Sequence, residues 1–408
     1  MMNSRLTALA VGMICLAMLC ATAQAATLEV GPGKTYEKLS QAAAAAKDGD
    51  EIAVAPGEYV NDWSKVRAPN VTLRGLVVDG KRPQLVTRDA MIDNGKAIIV
   101  ASGDNFTVEN VEFIGARVAD KNGAGIRPEA TGLTVRNCRF YDCEDGIQGG
   151  GGEVLIEYCE FDHCGHSAGK VATHSLYISA RCTKLTFRYN YSHHTLDGHL
   201  LKTRAKESWI LYNRLTDEDG MGSAVADFPN GGLVVMIGNT LHKGPKGKNN
   251  RMVAYGWEGL VHDRNEIYVA SNSMWWDNRG ADQIAFVKVM TKTAGAKAAA
   301  SGPDDTNVKV VLRNNVCVGP IPLTNFDKAD VAGNLLFKTV AETGFVDPAT
   351  CDFHLKAGSP CIDQGVAPGK VDGFSLKPVM QYVHPHDKQP RPDDGKLDVG
   401  AFEFTPVK

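Results

Sequence analysis

Three observations in the 408-residue sequence predict an all-β chain wound as a single-stranded right-handed parallel β-helix, a solenoid with a short helical cap at its N-terminus and a closing segment at its C-terminus. Short β-rich segments recur along the middle of the chain, an aliphatic column stands at constant offset before them, and the L-x-x-L-x-L-x-x-N signature of a leucine-rich repeat is absent. The recurring segments are 108–113, 135–140, 156–161, 187–192 and 210–215. With the fourth residue of each as reference, Val111, Cys138, Cys159, Asn190 and Asn213 are separated by 27, 21, 31 and 23 residues. Twelve positions before them stand Ile99, Ile126, Ile147, Ile178 and Leu201. Two strands at constant offset in units of variable length describe coils that stack at a rise of roughly 4.8 Å, with inward residues forming ladders and length variation held in flanking loops. Segments 234–241, 267–274 and 308–317 read as further coils with longer insertions.

Residues 1–25 read as a cleavable signal: Arg5 is a short positive region, 6–20 is apolar, and Ala23-Gln24-Ala25 offers a cleavage site. The expected organisation is then signal 1–25 and one β-helix domain 26–408, with cap and first coil in 27–60 and the closing segment in 345–408. This predicts a periplasmic or secreted protein with no membrane anchor, acting as a monomer. With 43% hydrophobic and 22% charged residues the chain is neither disordered nor a polytopic membrane protein. Its net charge of −3 becomes −4 once Arg5 leaves, which calls for no nucleic-acid partner.

An Ala-rich stretch at 36–47 is followed by Asp48-Gly-Asp-Glu-Ile-Ala-Val-Ala-Pro-Gly-Glu-Tyr59. These residues resemble the N-terminal cap and first coil of secreted proteins of the pectin-lyase-like superfamily. Ala357-Gly-Ser-Pro-Cys-Ile-Asp-Gln-Gly365 and Asp398-Val-Gly-Ala-Phe-Glu403 are similar to the closing segment of its bacterial members. The resemblance implies a carbohydrate-active protein and leaves lyase, hydrolase, epimerase and esterase open.

Eight of the ten cysteines lie beyond the signal. Cys138 and Cys159 share one offset and Cys143 and Cys164 another, which places each pair side by side on neighbouring coils. Disulfides Cys138–Cys159, Cys143–Cys164 and Cys351–Cys361 are candidates, and a ladder of buried thiols is the alternative. Asn190 and Asn213 continue the first column as an inward ladder.

Alternation makes the residues after the aliphatic column face outward. They form two rows, Arg127, Gln148, Ser179, Lys202 and Glu129, Gly150, Arg181, Arg204. A local excess of cations on an acidic protein marks a site for an anionic ligand, here an acidic polysaccharide. His174-Ser-Leu-Tyr-Ile178 and Gly198-His-Leu-Leu-Lys-Thr-Arg204 lie on consecutive coils, with Tyr177 outward and His199 inward. Beyond them come Asp227-Phe-Pro-Asn-Gly-Gly232 and a basic loop at 242–251. Asp227, Asn230, Lys246 and Trp257, with Arg127 and Gln148, are candidate substrate contacts, and Trp257, Trp275 and Trp276 are candidate sugar platforms.

A uronate lyase removes the C5 proton beside the carboxylate, so that carboxylate must be neutralised and a base must lie within reach. Lys202 is the candidate base, Arg181 and Arg204 the carboxylate clamps, and Tyr177 or His174 the leaving-group acid, with His199 nearby. Ca²⁺ is the one optional cofactor. The W-x-D-H motif of pectate lyases is absent, and so are the paired aspartates of polygalacturonase-like hydrolases. A hydrolase on Asp227 and one of Asp217, Glu218 or Asp219, a C5-epimerase, and a non-catalytic polysaccharide-binding β-helix stay open. His384-Pro-His-Asp387 is similar to an epimerase motif but lies in the closing segment. His163-x-x-His166 and His193-His194 have no third partner in the sequence, and no metal site is assigned.

Overall fold

The computed structural model describes residues 25–166, 173–249, 251–277, 285–290 and 307–406, so the signal segment lies outside the described residues except Ala25. Among them, three parallel sheets of twelve, eleven and nine strands run the length of a solenoid. Each coil contributes one strand to each sheet in turn, as in Cys182–Arg188, Tyr191–His193 and Leu201–Thr203. Inward residues make one continuous apolar core, including the stacked rings of Phe113, Phe140 and Phe161 at 4.9 and 4.8 Å.

The turn between the twelve- and eleven-stranded sheets carries a ladder of the buried Asn190, Asn213, Asn239, Asn272 and Asn315 and the half-buried Asn334. From Asn213 to Asn334 each side-chain Oδ1 accepts the backbone N–H of the asparagine one coil earlier, at 2.9 or 3.0 Å, and Asn190 Oδ1 accepts that of Cys159 at 2.9 Å. The ladder satisfies backbone donors that the turn would otherwise bury unpaired.

The expected aliphatic column holds for Ile99, Ile126 and Ile147 and then shifts. Ile147 pairs with Leu176, while Ile178 pairs with Gly149 and Thr203. One extra residue in the turn between Ile178 and Cys182, and one more at the register shift that follows Cys182, account for this. An even shift leaves every side chain on its face. The outward row is therefore Arg127, Gln148, Tyr177, Lys202, Asp227, Ala254 and Lys288, with Tyr177 where Ser179 was expected.

The expected disulfides are not formed: Cys138, Cys159, Cys143, Cys164, Cys351 and Cys361 are all free and buried. In-register neighbours hold their Cβ atoms about 4.8 Å apart with parallel bond vectors, wider than the 3.5–4.5 Å of a disulfide. The thiols of Cys138 and Cys159 turn instead to the backbone carbonyls of Arg136 and Glu157, at 3.2 and 3.3 Å.

The helix Leu39–Ala45 covers the open end of the core with Leu39, Ala42 and Ala43, and Asp62 accepts the N–H groups of Leu39 and Ser40 at its start. The C-terminal segment does more than close the far end. Phe345, Phe353, Val399 and Phe402 pack on the outward Val316 and Val318 of the eleven-stranded sheet, and Val371 and Leu376 join the outward Val235, Ile237 and Tyr268 of the twelve-stranded one. Trp275 is absorbed here, against His242 and Phe353, and Trp276 in the core, so neither is a sugar platform. The apolar contacts of this segment thus fall on two of the three outer faces, and the stripe lies on the third.

Candidate active site on the nine-stranded face

Lys202 stands at the centre of the stripe, between Tyr177 and Asp227 on neighbouring strands. Its Nζ lies 3.1 Å from Glu258 Oε1 and 3.8 Å from Asp227 Oδ2. Arg204 reaches the other oxygen of Glu258 through Nη1, donates from Nε to the Tyr177 hydroxyl oxygen at 3.0 Å, and from Nη1 to Asn230 Oδ1 at 2.8 Å. One carboxylate is thus clamped between an ammonium and a guanidinium that Tyr177 and Asn230 hold in place.

Glu258 arrives on a loop after the strand Arg251–Tyr255, turned back over the face by Gly256 and Gly259, whose φ of 78° and 100° suit glycine. Its N–H donates to Pro229 O at 2.8 Å. Hydrogen bonds from Arg204 and Lys202 outweigh partial burial and hold its carboxyl below the usual range. Asp227 is the opposite case: it is 2% exposed, one carboxylate oxygen has no partner, and burial raises its carboxyl to about 6 despite Lys202 and Arg251.

Behind this row runs a second ladder. Asp145 Oδ1 accepts from the His174 N–H at 2.8 Å, His174 Nδ1 from the His199 N–H at 3.0 Å, and His199 Nδ1 from the Ala224 N–H at 2.9 Å. The two imidazoles stack at 4.7 Å. With Nδ1 accepting, each neutral ring carries its proton on Nε2, and that of His199 lies 3.3 Å from Asp227 Oδ2. Burial first, then nearby cations, lowers His174 to about 3 and pushes His199 far below its ordinary value. His174 is buried with its Nδ1 already accepting the His199 N–H, which disfavours it as leaving-group acid. Tyr177 remains.

The structure brings together Lys202, Arg204, Tyr177, His174, His199, Asp227 and Asn230. Arg181 is not beside Lys202: its guanidinium donates to Glu129 O at 2.9 Å, and with Arg127, Gln148, Tyr177 and Ser179 it lines an adjoining depression of about 400 Å³. The two-residue shift moved it there. Arg127 donates to Gln148 Oε1. Lys246 is off the site, paired with Asp219 at 3.2 Å, because its loop leaves the eleven-stranded sheet. Trp257 stacks under Arg251 at 3.5 Å and near Lys288 at 5.4 Å, so it anchors cations instead of offering a bare sugar platform. Asp217 pairs with the buried Lys243 at 3.7 Å. The functional residue that sequence reasoning missed is Glu258, whose loop position carries no periodic signal.

Comparison with known proteins agrees with this architecture. Residues 74–244 match the family model described as a right handed beta helix region. The solved structure titled "Crystal structure of pectate lyase Pel9A" has a TM-score of 0.60 at 14% identity, over 94% of this chain and 97% of that one. This chain folds as a right-handed parallel β-helix. No curated protein matches it. In this β-helix no helix among the described residues is long and apolar enough to cross a membrane. At 14% identity the shared fold supplies the scaffold alone, and the chemistry must be read from the cluster around Lys202.

Proposed function

We propose that this β-helix protein is an exported carbohydrate-active enzyme, a lyase that cleaves a uronate-containing polysaccharide by β-elimination. The observation that carries the reading is the Glu258 carboxylate, held between Lys202 and Arg204 at the centre of an open cationic face. A uronate carboxylate has the same charge and shape and would displace it. Arg204, fixed by Tyr177 and Asn230, then takes up charge that develops on the substrate carboxylate as the C5 proton leaves. Lys202 enters the step as its free amine, its ammonium proton having passed to solvent. The free amine accepts the C5 proton, the C4–O bond breaks, and the Tyr177 hydroxyl supplies the proton to the departing oxygen. Arg127 and Arg181 receive a neighbouring acidic unit in the adjoining depression. In this reading cations of the chain neutralise the substrate carboxylate, and Ca²⁺ is an optional addition. Export to the periplasm or beyond rests on the leader read in residues 1–25, with the mature chain acting as a monomer.

A hydrolase is the second reading, because Asp227 and Glu258 both approach Lys202 Nζ and so lie at most about 7 Å apart, within the span two catalytic carboxyls need. Their environments also push the two carboxyls in opposite directions. Lys202, however, fills the space between them, where the scissile bond or attacking water would lie. Incubation with a panel of uronate polymers separates these readings. A lyase generates the ultraviolet absorbance of an unsaturated uronate, and a hydrolase generates reducing ends without it. An epimerase changes C5 configuration without cleavage. Binding with no product on any polymer would leave a non-catalytic polysaccharide-binding protein.

A further inference from the structure

Away from the nine-stranded face, the corner that follows the eleven-stranded sheet gathers a second set of polar groups. Parallel pairing sets Asp162 opposite His193. The next residues, His163 and His194, both take left-handed φ, 52° and 48°, and their rings stack at 5.0 Å. Ligand atoms of Asp162, His193 and His194 all lie within 4.8 Å of one another. His193 Nδ1 and His194 Nδ1 face each other at 2.5 Å, and Asp162 Oδ1 lies 3.5 and 3.8 Å from them.

The far nitrogens of both rings are already engaged. His193 Nε2 is 3.1 Å from Glu160 Oε1, and His194 Nε2 is 3.2 Å from Asp219 Oδ1 and 3.5 Å from Glu218 Oε2. A carboxylate only accepts, so each Nε2 carries the proton and each Nδ1 of a neutral ring presents a lone pair. The two Nδ1 atoms share one proton in the metal-free chain, and beside the Asp162 carboxylate a divalent cation can take that proton's place as the nitrogens move slightly apart. A carboxylate on the outer nitrogen is also what orients histidines that ligate metals. Arg139 Nη2 fixes the second oxygen of Asp162 at 2.8 Å.

We propose that Asp162, His193 and His194 bind one first-row divalent transition metal, zinc by their chemistry, and so tie together two adjacent coils. Two imidazoles and one carboxylate leave a fourth tetrahedral position open. Ca²⁺ and Mg²⁺ are the wrong class for this set, since both select oxygen ligands. The third ligand escaped sequence reading because Asp162 stands 31 residues before His193 and meets it only through the register.

The test uses the leaderless full chain carrying no histidine tag, stripped with chelator and titrated with Zn²⁺ by calorimetry, with Co²⁺ as a spectroscopic probe. The expected result is one tight equivalent per chain, a visible d–d band of low-coordinate cobalt, and a higher Tm with zinc. His194→Ala and Asp162→Asn should each weaken binding at least about 100-fold, while His166→Ala should not. Absence of both stoichiometric zinc and a cobalt band in the wild-type chain would overturn the site, as would undiminished binding in His194→Ala. Should Asp162→Asn fail to fold, the wild-type cobalt spectrum and His194→Ala decide the question.

Discussion

Replacing Asp227 by Asn removes a buried ionisable group while keeping its shape, and the consequence for stability against pH has a definite sign. The carboxyl rises from 3.8 to about 6 on folding, chiefly by burial. Between about pH 4 and pH 6 the folded chain therefore binds a proton that the unfolded chain has lost, and stability falls as pH rises through that window. A shift of about two units corresponds to about 3 kcal/mol, fully expressed above pH 6. The buried neutral rings of His174 and His199 act in the opposite direction, since both are depressed below 6.5 and the unfolded chain takes up their protons as pH falls. Wild-type stability is a sum of opposed slopes, so the informative quantity is the difference between wild type and Asp227→Asn. Urea unfolding of both at steps from pH 4 to pH 8 should show the Asp227→Asn variant gaining about 3 kcal/mol relative to wild type from the acid to the alkaline end of that range. The offset at any one pH is less informative, because the new amide has no acceptor where Asp227 Oδ1 lacked a donor, a cost of about 1–3 kcal/mol. Parallel curves for the two proteins would refute the account of Asp227 as a carboxyl held up by burial.

Four further outcomes follow from the geometry. Lys202→Ala should lower turnover on a responsive uronate polymer by about 10²–10⁴-fold with binding retained, followed by absorbance of the unsaturated product; unchanged turnover removes Lys202 as base. Glu258→Gln frees Lys202 and Arg204 from a half-exposed internal carboxylate, so KM should fall by up to about tenfold at low salt and by less at high salt; a rise in KM would show that Glu258 itself contacts substrate. Asn213→Leu deletes hydrogen bonds with Asn190, Asn239 and Phe187 O and should cost about 3–5 kcal/mol, read as a loss in Tm by circular dichroism. Titration of the unfolded leaderless chain with a thiol reagent, without reductant, should count eight free thiols.

The sequence by itself determined the coil architecture, the inward and outward sides of each strand, and the face that carries Tyr177, Lys202 and Arg204. These follow from alternation with a period of two, a local rule that survives insertions of even length. The tertiary structure alone decided which outward residues are neighbours. Two extra residues after Ile178 put Tyr177 beside Lys202 and sent Arg181 to the adjoining depression. A loop from a later coil brought Glu258 onto Lys202 and Arg204, while the loop of Lys246 left another sheet altogether. In-register stacking likewise set Asp162 against His193, and it held neighbouring cysteines about 4.8 Å apart, side by side and unbonded. Facing is encoded residue by residue along one strand, whereas neighbourhood depends on the length and path of every turn between strands.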